Sequence, residues 1–407
     1  MRIGILTQYF PPEIGAPQTR LADLAMRFVR RGHEVFVLTA MPNYPRGRIY
    51  PGYGGIFKKE EQEGIRIIRT CIYPTKSLRM LPRMVNYLSF VCSSAVIGMF
   101  GLPRLDFLLT ESPPLFLGLS GYWLSRVKRA RWIFNVSDLW PESAVQLGVA
   151  SRESTLIRMA EALEAFCYKK AWLVTGQSRE IVESVQRRFP TVQTYRLSNG
   201  VDTDRFRPRY QSSMVRSILA DGRETVAVYA GLHGVAQGLE QILEAAQQLQ
   251  DVDDFGIVFI GDGPEKEKLM QRSRHLQLNN VRFLPPYPRE DMPEVMSAVD
   301  IALVPLKRRL PGAVPSKLYE AMGTGLPVVL MADGEPADVV TRAGAGCVVP
   351  PNNPVALAQT LRWLSRDKDA CVRMGTHGRR AALEHYNREV IADAFIRLIE
   401  QAVDADM

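Results

Sequence analysis

Short apolar runs rich in β-branched residues alternate with longer helical stretches from one end of this 407-residue chain to the other. That rhythm predicts strand–helix–strand units, and hence parallel sheets. In the first half the runs fall at 2–8, 34–40, 65–70, 107–111, 131–137 and 172–177, with helices predicted at 17–31, 115–129 and 151–169. In the second half strands are predicted at 225–230, 256–260, 281–284, 301–305, 327–331 and 346–349. Helices at 237–250, 264–276, 290–297, 316–322 and 354–365 separate them. The polar, turn-rich stretch "SNGVDTDRFRP", 198–208, interrupts the pattern. The expectation is therefore an α/β chain of two doubly wound Rossmann-like domains, 1–198 and 199–386, facing one another across a cleft at the carboxyl ends of their strands. A last helix, 387–407, is expected to pack back on the first domain.

The apolar fraction of 46% and charged fraction of 23% belong to a soluble globular protein. Five scattered cysteines without a C-x-x-C pair point to free thiols in a reducing compartment and away from a disulfide frame or zinc site. After Met1 the chain reads straight into a strand with no signal-peptide pattern, so a cytoplasmic location is expected. Charge is uneven: residues 1–200 hold 27 Lys plus Arg against 15 Asp plus Glu, and the remainder 24 against 28. A basic first half suggests an anionic partner. Dispersed cations without an aromatic-rich nucleic-acid motif favour a membrane surface over nucleic acid, with ordinary solvated charge as the alternative. "MVNYLSFVCSSAVIGMFGL", 84–102, is 19 residues without a charge, preceded by Lys76, Arg79 and Arg83. A helix buried in the first domain is the expected state, an interfacial helix or a bilayer span the alternatives.

Candidate site residues sit where strands run out. In "TQYFPPEIGAPQTR", Gly15 lies where the chain turns into a helix, so backbone amides and the helix dipole can meet an anion. "FNVSDLWPES" brings Asp138 and Glu142 to a carboxyl edge, where either can orient an acceptor hydroxyl or take its proton; helix capping is the plain alternative for Asp138. Glu111 and Ser112, in "TESPPLF", end another strand at that edge. In the second half "YAGLHGVAQGLE" offers Gly231, His233 and Gln237 to a diphosphate. "FIGDGPEKEKL" adds Gly263 in a second such turn, but it lacks the third glycine of a dinucleotide fingerprint. "PGAVPSKLYEAMGTGLPVV" is the third, with amides near Ser316, Lys317 and Leu318, the Lys317 ammonium, and Glu320 placed for a ribose. Tyr287, in "PPYPRED", lies near the base or simply packs. Asp202-Thr203-Asp204 reads as turn chemistry and His33 as a packing residue.

Together these stretches resemble the retaining nucleotide-sugar glycosyltransferases of family 4, which have the GT-B fold. The resemblance runs in order through "YFPPEIGAPQTRLADLAMRFVRRGHEVFVLT", "SNGVDTDRFRP", "YAGLHGVAQGLE", "GDGP" and "PSKLYEAMGTGLPVV". It implies a UDP-sugar held by the second domain, an acceptor held by the first, and no metal or other cofactor. Glu320 matches the second, ribose-binding glutamate of the family's E-x7-E motif, and the first, sugar-binding one falls on Gly312. An arginine and a lysine usual in the glycine-rich turn fall on Leu232 and Gln237. "DLWPES", "YAGLHGVAQGL" and "AVPSKLYEAM" resemble the branch with O-antigen and capsule L-fucosamine transferases, implying an N-acetylated or 6-deoxy donor that presents no hydroxyl to the missing carboxylate. The implied catalytic set is Asp138, Lys317 and His233. Lys317, His233 and helix-end amides would neutralise the leaving diphosphate, and the acceptor would enter on the same face and pass its proton to the departing phosphate oxygen. The expected partners are a UDP-sugar, a lipid-diphosphate-linked saccharide of an O-antigen, capsule or exopolysaccharide, and the anionic inner face of the cytoplasmic membrane, with no nucleic acid. A nonhydrolysing UDP-sugar epimerase of the same fold and a catalytically silent nucleotide-binding scaffold are the rival readings.

Overall fold

The computed structural model describes residues 1–77, 79–146, 151–209 and 212–404. The chain divides into two compact units, Met1–Ser198 with the stretch from Ala392 onward, and Asn199–Ile391.

The first unit is built on one sheet of β1 (Arg2–Leu6), β2 (Glu34–Ala40), β3 (Phe57–Gln62), β4 (Ile65–Thr70), β5 (Phe107–Ser112), β6 (Arg131–Val136), β7 (Leu173–Gly176) and β8 (Thr194–Arg196). Their order is β3-β4-β2-β1-β5-β6-β7-β8. Central strands of such a sheet are covered on both faces and therefore read as unbroken apolar runs. All six residues of β5 are buried accordingly. One strand departs from the expected parallel pairing: β3 runs antiparallel to β4 through a turn at Glu63 and Gly64, both at positive φ. Its sequence, FKKEEQ, has no apolar run. Backbone pairing and an ion pair, Arg69 Nε of β4 donating to Glu60 at 2.6 Å, seat it at the sheet edge, and its charges discourage a further strand from joining.

Helices α1 (Ala16–Arg30), α2 (Met80–Gly101), α3 (Leu117–Lys128), α4 (Glu142–Gln146) and α5 (Thr155–Lys170) belong to this unit. The expectation that 84–102 forms a buried helix is corrected. Only a narrow face of α2, with Asn86, Phe90, Ser94 and Gly98 at fourfold spacing, is buried. Ser94 and Gly98 are small enough for α3 to approach, and Ser94 Oγ lies 3.1 Å from Ser120 Oγ. Outward, Leu81 is 75% and Phe100 80% exposed, with Val85, Leu88 and Val96 also in solvent. Among the described residues α2 is the one helix long and apolar enough to cross a membrane. The stretch from Ala392 also lies on this unit: Glu400 Oε1 is 3.0 Å from His33 Nε2, and Phe395 packs on Tyr195. Residues 405–407 of the helix expected at 387–407 lie outside the described residues.

The second unit carries β9 (Thr225–Ala230), β10 (Phe255–Ile260), β11 (Val281–Leu284), β12 (Ile301–Pro305), β13 (Val328–Met331) and β14 (Gly346–Val349), all parallel, in the order β11-β10-β9-β12-β13-β14. Alternation along each strand splits its core in two. Val226, Val228, Val258 and Val304 line one face, while Ala227, Tyr229, Phe259 and Leu303 line the other. Strand order reverses at β9 between β10 and β12, the place where open sheets of this kind hold ligands at their carboxyl ends.

Candidate active site

The three glycine-bearing turns of the second unit meet at that reversal. Gly231, directly after β9, has φ 150° and donates its N–H to Ile260 O at 2.8 Å. A Cβ there would lie 2.3 Å from Lys317 Nζ, so the ammonium of the third turn rests on the backbone of the first. The second turn is equally close, since a Cβ on Gly263 would fall 2.5 Å from His233 O. Backbone hydrogen bonds lock the pair, His233 N to Asp262 O and Glu265 N to His233 O, both at 2.9 Å. Gln237 ends a short 3-10 turn, Val235–Gln237, and its Oε1 is buried without a partner. Tyr287 follows β11 half-buried and packs on the core layer that contains Ile260 and Leu318.

The Ser316–Thr324 helix starts from Pro315, which supplies no N–H and no capping side chain. The amides of Ser316 and Lys317 therefore emerge without an acceptor among the described residues, at the positive end of the helix dipole. Leu318 is corrected: its N–H is bonded to Pro315 O at 3.1 Å and its side chain is fully buried, so it is core rather than ligand shell. Lys317 makes no hydrogen bond or ion pair among the described residues; its Nζ lies over the Tyr229 ring, 5.8 Å from the ring centre. Burial pulls its pKa below the usual lysine range, opposed by the charge of Glu320 one helical turn on. Glu320 is half-buried. Gly312 has φ 76°, a left-handed backbone that a glutamate adopts only with strain.

His233 needs the larger correction. Its ring is fully buried beside Tyr229, Phe259 and Phe283, and neither ring nitrogen has a hydrogen-bond partner among the described residues. Burial, with Lys266 nearby, pushes its pKa down to about 4. At neutral pH it is uncharged and cannot neutralise a diphosphate.

In the first unit the expected acceptor residues separate into two kinds. Glu111 is 2% exposed and accepts from Arg20 Nη2 at 2.6 Å, from Asn135 Nδ2 at 2.6 Å and from Ser137 Oγ. Asn135 Oδ1 in turn accepts from Thr175 Oγ1. This cluster ties β5, β6, β7 and α1 together and is closed to a ligand. Ser112 is buried and its carbonyl accepts Ser137 N–H. Both are corrected from acceptor residues to framework. Asp138 is different. It is half-buried, accepts from Ser143 Oγ at 3.0 Å, and lines a cavity of about 490 Å³ beside α2. Burial raises its pKa, with the Ser143 hydrogen bond opposing. A raised carboxylate is a better base. Glu142 opens α4 and accepts from Gln146 at 3.3 Å. Gly15 precedes α1, which no side chain caps.

Residues 15–200 match the family model described as "Glycosyl transferase 4-like domain", and residues 212–381 the one described as "Glycosyl transferases group 1". The chain belongs to the family 4 glycosyltransferases of GT-B fold. An Escherichia coli K12 protein named as a colanic acid biosynthesis glycosyl transferase, WcaI, is 25% identical over 82% of this chain and 84% of its own. Sucrose-phosphate synthase from Thermosynechococcus elongatus superposes with a TM-score of 0.78 at 20% identity, covering 99% of each chain. Anabaena HepE, solved in complex with UDP and glucose, gives 0.72 at 18% identity over 98% of this chain and 100% of its own.

Two cations of this glycosyltransferase escaped the sequence reading. Lys266 Nζ donates to the carbonyls of Gly261 and Leu284, bracing the second turn. Lys307 follows β12, and its N–H donates to Ala236 O at 2.8 Å. A Cβ on Gly238 would touch Lys307 Cβ at 2.9 Å, which sets Lys307 beside position 237, where the family pattern has its lysine. Spacing hides both, because each meets the turn through a separate segment. Asp202 caps a local turn, accepting from the N–H groups of Asp204 and Arg205. Among the described residues no group of three or more His, Cys, Asp or Glu side chains is placed to hold a metal ion.

Proposed function

We propose that this glycosyltransferase moves an N-acetylated or 6-deoxy sugar from a UDP-sugar to a lipid-diphosphate-linked saccharide, in the synthesis of an O-antigen, capsule or exopolysaccharide. The observation that carries the reading is the unpaired Lys317 ammonium lying on Gly231 beside the free amides of Ser316 and Lys317. Such a site suits two phosphates whose charge grows as the sugar leaves. In this reading Gly231, Gln237 and Gly263 line the diphosphate, Glu320 accepts from the ribose, and Tyr287 borders the base. Gly312 supports an adapted donor pocket, because its positive φ belongs to a loop shaped for glycine and not to one that merely lost a carboxylate. Asp138 orients the acceptor hydroxyl, with Glu142 beside it. The incoming oxygen attacks on the face the diphosphate leaves, its proton passing to the departing phosphate oxygen, so the anomeric configuration is retained without metal. Membrane-peripheral work on the cytoplasmic face, drawn by the basic first half, completes the reading.

The relative named for colanic acid biosynthesis and the fold shared with a UDP-bound protein support this assignment. The family assignment does not favour the epimerase or the silent scaffold. The test is mass spectrometry of products from a panel of UDP-N-acetyl and UDP-6-deoxy sugars with a prenyl-diphosphate saccharide. A mass increase of one sugar residue is expected for one donor. Binding of UDP without transfer from any donor would return the scaffold reading.

A further inference from the structure

The cavity that Asp138 lines lies outside the donor site proposed above, and its walls are largely apolar. Met84, Tyr87, Phe116, Trp140, Leu156 and Ile157 are among its lining residues, with Trp140 edge-on to Phe116 at 5.9 Å. At about 490 Å³ it falls in the size range of ligand pockets, and its lining is of their usual apolar kind. The polar groups on its walls include Asp138 and Arg83. Arg83 is exposed, donates to Tyr87 OH at 3.1 Å, and has no carboxylate partner among the described residues. Next to it, Leu81, Val85 and Leu88 of α2 point into solvent.

We infer that this cavity takes the first isoprenoid units of the acceptor's lipid, with Arg83 meeting its diphosphate. The inference rests on the lipid-linked acceptor proposed above and names the lipid's class and its seat. The match is one of chemistry. An apolar chain fills an apolar cavity, a guanidinium without a carboxylate partner at its wall suits a dianion, and the outward apolar side chains of α2 let such a chain arrive from a bilayer without crossing water.

Calorimetry of the full chain with farnesyl diphosphate tests this. Binding is expected, with farnesol and inorganic diphosphate each at least tenfold weaker. Met84→Trp, which fills the cavity, should weaken farnesyl diphosphate at least tenfold. Arg83→Glu, on the surface and safe for folding, should do so while leaving farnesol unchanged. UDP affinity should hold in both variants. Farnesyl diphosphate failing to bind while UDP binds would overturn the inference alone, as would inorganic diphosphate competing equally well or Arg83→Glu binding as wild type does. If UDP itself fails to bind the wild-type chain, the donor reading fails instead.

Discussion

Two polar clusters lie at the carboxyl ends of the two sheets, and they are built in opposite ways. Around Glu111 every group answers another: Arg20, Asn135, Ser137 and Thr175 close the cluster with hydrogen bonds. Around Gly231 the groups are left unanswered among the described residues: Lys317 has no acceptor, and Gln237 Oε1 and both His233 nitrogens have no hydrogen-bond partner. A buried polar group without a partner costs free energy, so a fold keeps one where a ligand or the chemistry supplies what is missing. The closed cluster holds a framework; the open one is the place proposed for the diphosphate, where Lys317 and the amides of Ser316 and Lys317 are the donors.

The comparison breaks most readily at Glu111. Glu111→Ala removes the carboxylate to which Arg20, Asn135 and Ser137 donate and is expected to cost about 3–5 kcal/mol in a urea melt, while UDP affinity of the folded protein stays put. A loss below about 1 kcal/mol would show that the cluster is not structural. Lys317→Ala should act in the reverse sense. Removing a charge-assisted contact weakens UDP binding by about 3 kcal/mol, roughly 100-fold, in calorimetry. Stability should not fall, because a desolvated ammonium is relieved.

His233 sharpens the contrast through pH. Its folded pKa near 4 lies below the ordinary 6.5, so between those values the unfolded chain binds the proton first. Stability is therefore fully present above about 6.5 and lost as pH falls toward about 4, by at most about 1.4 kcal/mol per unit. Denaturation of His233→Phe followed across that window should show a flatter profile; an unchanged slope would mean the ring is protonated in the fold. The smallest effect is expected at Glu320. Glu320→Ala should lower UDP affinity by about 1 kcal/mol, and stability by less than about 0.5 kcal/mol. Unaltered UDP affinity and transfer rate would remove it from the site.

The open cluster was the more legible of the two. Its parts are short contiguous signals, a strand followed by glycines or by an uncapped helix, and local geometry alone places such amides at a sheet edge. The closed cluster joins Arg20 to Glu111 across 91 positions, and no local rule pairs them, so Glu111 reads as an acceptor residue until its surroundings are seen. Likewise α2 shows its apolar content in sequence but not which side faces out. That was settled by Ser94 and Gly98 giving α3 its approach.

From the order of residues alone came the alternation of strand and helix, the break near 200, and the turns at 231, 263 and 317, because periodicity and glycine placement are local properties of the chain. Only the tertiary structure decided which of the charged and polar groups stay charged and free. Burial silenced His233 and closed Glu111, while Lys317 was left without a hydrogen-bond or ion-pair partner among the described residues. Charge state and partner both depend on what distant segments bring close, and that is not written in any one stretch of sequence.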